Sequence, residues 1–427
     1  MIVLLPPLLV MVVALLKSQR HSLVFVAIPC LLFLPSYYTH KFPGIPVATF
    51  HNYLFIVLFA FILLGKDRRL FDLRGTDLIL GIFTFLCVYS EYENKGFVEG
   101  RNLLAVKLMG VLVPYYIGKM LAKDNCYLIG TLTTIIALGA VIGFVSPIEA
   151  RLGTNPFDFW RSYWPASVPW DGALYRFGLR RVAGPFAHPI CQGFFFSLAI
   201  PISIWLCNMK RPTGLARRRI IVLGLIVGLL LCGSRGPWLG TIIAVTFPVF
   251  LWRKSRVVLV LAAALFMLIL PALIWEDLSS YVSIDRGQAT SESQETAAYR
   301  WEMLENYLEV VDERPWIGFG KDQIPIVKGL KSIDNQYLFV ALMHGLPAAI
   351  AFLACILIPA IQILWGSLRR SSADPLARFG IVLAGCLLGA IFTQSTVFAG
   401  TQTEQVLFLL VGISTTIRTR LARMQAI

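Results

Sequence analysis

Apolar runs recur from one end of this 427-residue chain to the other, at about 1–16, 23–36, 47–65, 76–91, 103–121, 127–146, 189–208, 219–234, 237–252, 257–275, 336–365, 379–398 and 405–417. Some are shorter than the roughly 20 residues a spanning helix needs, and short ones can be re-entrant or paired. Within a bilayer only helices and closed barrels satisfy every backbone polar group. The sequence therefore predicts an all-α polytopic membrane protein with about 12–14 transmembrane helices. Composition agrees. The chain is 57% hydrophobic and 15% charged, where soluble proteins are about 45–50% apolar and about 25% charged. Residues 1–16, MIVLLPPLLVMVVALL, lack the basic start and small-residue cleavage site of a signal peptide and read as a first span.

The net charge of +14 would suggest nucleic acid in a soluble protein. In a membrane chain its placement matters more, and no nucleic-acid partner is expected. Alternate connections are basic: KSQR (17–20), KDRRLFDLR (66–74), KMLAK (119–123), the 210–219 run, RKSR (253–256), residues 369–378 and RTRLAR (418–423). The positive-inside rule assigns these to the cytoplasm. The two long connections then face outward. The organisation expected is N-terminal transmembrane helices over 1–146, an aromatic and basic external loop over 147–188, and central helices over 189–275. An external loop with an amphipathic helix follows over 276–335, then C-terminal helices and a basic cytoplasmic tail over 336–427. No internal repeat is evident.

The first loop, with NPFDFWRSYWPASVPWDGALYRF at 155–177, suits the headgroup interface that Trp and Tyr favour. In the second, Ser291 and Gln294 have capping-box spacing. Tyr299, Met303, Tyr307, Leu308 and Val311 form an apolar stripe, and Arg314-Pro315 ends it. The eight cysteines lie in or beside apolar runs, which excludes a disulfide framework, and no metal-ligand spacing is present.

Charges inside or beside spans are the candidate functional residues. An Arg or Lys at mid-membrane costs roughly 2.5–3.5 kcal/mol on insertion scales. Arg235 lies at the junction of two apolar runs, between Gly233 and Gly236. It is either a snorkelling turn residue or part of an anion site in which glycine lets backbone N–H groups approach a ligand. Lys107 sits one or two turns inside a span, with the same pair of readings. Arg180 and Arg181 precede Gly184, Pro185, His188 and Pro189, a rigid return to the membrane. Lys107, Arg181, Arg235 and Arg300 all map to the external side. Grouped there, guanidinium side chains suit a pyrophosphate or other polyanion, which they contact in bidentate fashion.

The order of four stretches resembles the O-antigen ligase and O-antigen polymerase family of membrane glycosyltransferases. They are RVAGPFAHP (181–189), GSRGPWLG (233–240), YRWEMLENYLEVVDERPWIGFG (299–320) and DNQYLFVALMHGLPAAI (334–350). The resemblance implies a metal-independent inverting enzyme without cofactor. It would take glycan from undecaprenyl pyrophosphate on the periplasmic face of the bacterial inner membrane. The acceptor is a lipid-linked repeat unit for a polymerase, or lipid A–core for a ligase. Membrane lipids, chain-length regulators and export proteins are the further partners it admits. Arg181 and Arg235 would hold the donor pyrophosphate. Arg300, Lys107, Arg180, His188, Asn335 and Tyr337 would contact substrate. Ligases of this kind typically have His-Asn where this chain has Asp334-Asn335, so Asp334 is either the base that activates the acceptor or a helix N-cap. This departure and the basic, aromatic loops favour a polymerase. A ligase, an oligosaccharyltransferase to protein, and a transporter of lipid-linked saccharide are the alternatives, although a transporter should show an inverted repeat and midplane charges. His344, further along the helix that Asp334 precedes, is too distant to replace the missing histidine. A literal His-Asn-Tyr-Leu at 51–54 reads as core packing.

Overall fold

The computed structural model describes residues 4–40, 48–64, 74–158, 175–176, 178–208, 215–251, 288, 292–330, 332–371 and 373–423. The 257–275 run, Ser291 and most of the aromatic stretch of the first long loop lie outside them.

The described chain is helical apart from two short antiparallel hairpins, β1 (Thr39–His40) with β2 (Ala48–Thr49) and β3 (Tyr175–Arg176) with β4 (Leu179–Arg180). The helices are α1 (Leu5–Leu16), α2 (Gln19–Phe33), α3 (Phe50–Leu64), α4 (Gly75–Lys95), α5 (Phe97–Leu121), α6 (Asn125–Leu152) and α7 (Pro189–Asn208). They continue with α8 (Leu215–Leu231), α9 (Arg235–Leu251), α10 (Glu292–Glu313), α11 (Gln336–His344), α12 (Leu346–Leu368), α13 (Pro375–Thr396) and α14 (Thr401–Arg423). Among them α5, α6, α7, α12 and α13 are each long and apolar enough to cross a membrane. The protein is an all-α polytopic membrane protein.

Apolar residues do not drive helices together inside lipid, so close backbone approach has to. A Cβ on Gly389 of α13 would collide with the Gly240 carbonyl of α9, and one on Gly143 of α6 with the Gly224 carbonyl of α8. Large side chains fill the centre, with Phe194, Phe195 and Phe196 of α7 fully buried and Trp205 stacked on Phe379, ring centroids 4.2 Å apart. Leu5, Leu16, Phe25, Leu64 and Trp365 point outward, as expected of a surface solvated by lipid.

Five of the basic connections, represented by Arg20, Arg74, Lys119, Arg370 and Arg420, meet at one end. Arg20 pairs with Asp124 at 3.3 Å, and Lys119 with Asp77 at 2.8 Å. Arg74 donates to Thr419 Oγ1 at 2.7 Å, Arg370 to the Leu421 carbonyl at 2.8 Å and Arg420 to the Ala122 carbonyl at 2.8 Å. The starts of α7, α9, α11 and α14 gather at the other end, called the site end below. There Gln336 accepts from the Ala399 N–H at 3.0 Å, and the Val182 N–H donates to the Leu231 carbonyl at 3.2 Å.

Two expectations need correction. The 336–365 run is not one helix. Gly345 (φ +84) breaks it, leaving the nine residues of α11 ahead of a 23-residue α12. Asp334 therefore precedes a short helix, not a span. The break strands the last carbonyls of α11, and residues 316–320 satisfy them. Phe319 N–H donates to Leu342 O at 2.9 Å and Gly320 N–H to Met343 O at 2.8 Å. Ser90 of α4 adds a third donor, to Met343 O at 3.1 Å. The second correction concerns α10. Ala298, Met303, Tyr307, Val310 and Val311 are buried, whereas Leu308 is 47% exposed. At about 100° per residue, position 308 turns away from the seam that 303, 307 and 310 define.

Candidate functional site

Residues 181–188 cross the site end without regular structure, and their backbone is fixed from three sides. Glu149, in the last turns of α6, accepts from the Ala183 N–H at 3.0 Å and the Gly184 N–H at 2.9 Å. Gly184 is left-handed, φ +54, a conformation glycine adopts without cost. Asn155 Nδ2 donates to the Gly184 carbonyl, and Arg180 Nη1 to the Gly153 carbonyl.

From this fixed loop the half-buried Arg181 reaches the end of α8, where its Nε donates to the Cys232 carbonyl at 2.9 Å. That bond does not consume its terminal Nη fork. Gly233 (φ +59) turns the chain there, and a Cβ on it would lie 3.0 Å from Arg181 Cγ. Two residues on, Arg235 is the first residue of α9, at a helix N-terminus, an end that favours anions. Arg176 of β3 donates from Nη1 to the Gly233 carbonyl at 3.0 Å.

Arg300 approaches from α10. Among the described residues its Nε is buried with no hydrogen-bond partner. Burial lowers the Arg300 pKa, Asp334 opposes this, and Arg176 and Arg235 lower it further. Burial likewise lowers that of Arg181, with Arg176 and Arg300 adding to the effect and Asp334 opposing it. Arg300 thus feels the charges of Asp334, Arg176 and Arg235, and Arg181 those of Arg176, Asp334 and Arg300. Four cations brought together at half-buried positions repel one another, and a bound polyanion relieves that cost.

Asp334 is not the helix cap. Asn335 is, its Oδ1 accepting from the Tyr337 and Leu338 N–H groups at 3.0 and 3.1 Å. The capping alternative for Asp334 is overturned, because residue 335 already occupies the position from which a side chain reaches the free N–H groups. Asp334 Oδ1 instead accepts from Ser332 Oγ at 3.0 Å. His188 lies at the edge of the group. Burial, then Arg181, pulls its pKa down to about 4. Its Nδ1 accepts from the Ile190 N–H at 3.1 Å, so the neutral ring carries its proton on Nε2.

The other sequence candidates lie elsewhere. Lys107 pairs with Glu404 at 3.6 Å and sits 5.0 Å over the Phe83 ring, next to a π-helical turn at Leu108–Leu112. Arg180 is engaged with Gly153. The Tyr337 hydroxyl donates to the Ile391 carbonyl at 3.2 Å. His344 contacts Ser90 Oγ at 3.3 Å, at the far end of α11 from Asp334. His51 is fully buried against the Leu34 carbonyl, 2.8 Å away, and Asn52 Oδ1 accepts from Gln405 at 3.1 Å, so this pair does pack the core. Sequence reasoning missed Arg176, Glu149 and Ser332, and took Tyr299 only as part of an apolar stripe. A lone Glu near the end of an apolar run was the one available signal, for Glu149.

A membrane-embedded helix bundle with a cationic, carboxylate-bearing end defines the class of protein. Residues 220–353, which include Arg235, Arg300 and Asp334, match the family model described as O-antigen ligase (Wzy_C). The chain is also 26% identical over 367 residues to an O-antigen ligase of Pseudomonas aeruginosa, covering 82% of this chain and 80% of the relative. The resemblance read in the sequence is borne out: residues 220–353 are similar to the O-antigen ligase family, and most of the chain is similar to one of its named ligases.

Proposed function

We propose that this protein is a membrane glycosyltransferase that takes glycan from undecaprenyl pyrophosphate at the periplasmic face of the inner membrane. The observation that carries the reading is that Arg181 and Arg300 each feel the Asp334 carboxylate, one another and Arg176, with Arg235 acting on Arg300. The acceptor hydroxyl attacks the anomeric carbon from the face opposite the pyrophosphate, inverting it, and its proton passes to Asp334. The sugar–oxygen bond to phosphate breaks, and the leaving pyrophosphate gains negative charge. Fixed guanidinium groups stabilise that charge where it develops, so the proposed reaction needs no metal.

Two acceptors are in play, each with its own support. Likeness to a named O-antigen ligase over 82% of the chain favours lipid A–core. Asp334-Asn335 in place of His-Asn favours a lipid-linked repeat unit and polymerisation. The glycan-lipid profile of a deletion strain tests all readings at once. Single lipid-linked repeats mean a lost polymerase, and long lipid-linked polymer absent from lipid A–core means a lost ligase. Precursor retained on the cytoplasmic face would replace both with a transporter.

A further inference from the structure

We infer that Glu149 is a positioning residue for the donor clamp, acting through the backbone of residues 181–184; this rests on the glycosyltransferase reading above. Glu149 is 4% exposed and lies near the end of the long membrane-spanning helix α6. Burying a carboxylate there is costly unless its lone pairs are met. They are met by two consecutive main-chain amides, Ala183 at 3.0 Å and Gly184 at 2.9 Å, with Arg180 as a nearby positive charge.

These amides follow Arg181 by two and three residues. On its other side Arg180 is tied to the Gly153 carbonyl, and between them Val182 is tied to Leu231. Arg181 thus projects from a bracket with every neighbour anchored. Glu149 supplies the one anchor that is a side chain taking two bonds at once. No other acceptor side chain matches this. An amide offers only one oxygen and would turn an NH2 toward the second N–H, setting donor against donor. An aspartate is one methylene short. Glu149 therefore fixes where the Arg181 fork points, although it touches no substrate itself.

The test uses the purified full-length protein in lipid nanodiscs, with lipid-linked donor and acceptor varied separately. Displacement of a reacting or stabilising group by about 1 Å costs on the order of 100-fold. Glu149→Gln is accordingly expected to lower kcat/KM for the donor by about ten- to a hundred-fold, with acceptor KM unchanged. In an Arg181→Ala background the same substitution should add less than about twofold, because groups acting through one another are not additive. Glu149→Asp should fall between wild type and Gln, and serves if the Gln variant does not fold. Hydrogen exchange gives a readout independent of activity: amides of 182–188 should exchange faster in the variants, with α7 and α9 unchanged. Wild-type donor kinetics in Glu149→Gln, a loss that multiplies with Arg181→Ala, or unchanged exchange at 182–188 would each overturn the inference. An inactive wild type with faster exchange in the variants would instead sink the glycosyltransferase reading and leave the anchoring role standing.

Discussion

Ser332 is gripped by Tyr299 at both of its main-chain polar groups. The Tyr299 hydroxyl donates to the Ser332 carbonyl at 2.8 Å and accepts from the Ser332 N–H at 2.9 Å. Ser332 in turn donates through Oγ to the Asp334 carboxylate. The helix that supplies Arg300 therefore also sets the position of the carboxylate.

Because Asn335 performs the capping, removal of the Asp334 charge leaves the helix intact. Asp334→Asn is expected to lower the transfer rate by about 10²–10⁴-fold, the usual contribution of a general base, with an unchanged melting temperature. Single-turnover rates and thermal scans of the same preparation check this. A wild-type rate would remove Asp334 from the chemistry.

Arg235→Lys keeps a charge but loses the fork that meets two phosphate oxygens. Transfer should fall by roughly 10²-fold or more, as for loss of one transition-state donor, and Arg181→Ala should be at least as severe. Arg180→Ala, engaged with a main-chain carbonyl on the other side of the loop, should lose far less. Steady-state rates of the three variants rank them, and an equal loss for Arg180→Ala would contradict the assignment.

His188 makes a prediction about pH. Its folded pKa of about 4 lies below the ordinary value of 6.5, so the unfolded chain binds the proton more readily. Its contribution to stability is complete above pH 6.5 and is lost as the pH falls from 6.5 toward 4. Melting temperature against pH for wild type and His188→Gln should diverge in that window, the variant lacking this component of acid destabilisation. Parallel curves would place the titration elsewhere.

The segment 316–320 can be probed at Gly318. It is left-handed, φ +70, and a Cβ would lie 2.6 Å from the Met343 carbonyl carbon. Gly318→Ala should cost at least about 1–3 kcal/mol in backbone strain alone, read as a lower melting temperature and lower yield of solubilised protein. An unaffected Tm would mean the contact with α11 is dispensable.

The helices were legible because lipid demands long apolar runs; placing cations on one side of the membrane picked out Arg181, Arg235 and Arg300 but also Lys107, which pairs with Glu404 instead. What escaped depends on partners distant in sequence. Arg176 sits in an aromatic-rich loop where nothing marks it as different from Arg161. Glu149 draws its role from amides more than 30 residues away. The break at Gly345 was written as Gly-Leu-Pro, a helix stop followed by a start, but an unbroken apolar run masked it. Asn335 and Asp334 are both good caps, and only the fold decides which takes the post.

The stitching of α11 at both ends has a consequence for length. Tyr299 and Ser332 fix its start, while Phe319, Gly320 and Ser90 fix its last carbonyls. A residue added to or removed from 336–344 would turn one end by about 100° and shift it about 1.5 Å, so the segment can accept changes of side chain but not of register. Additions and deletions should be absorbed instead between Lys321 and Leu330, where the chain is largely exposed. Relatives that have drifted in size should carry their gaps there, and the nine residues after Asn335 should align without one.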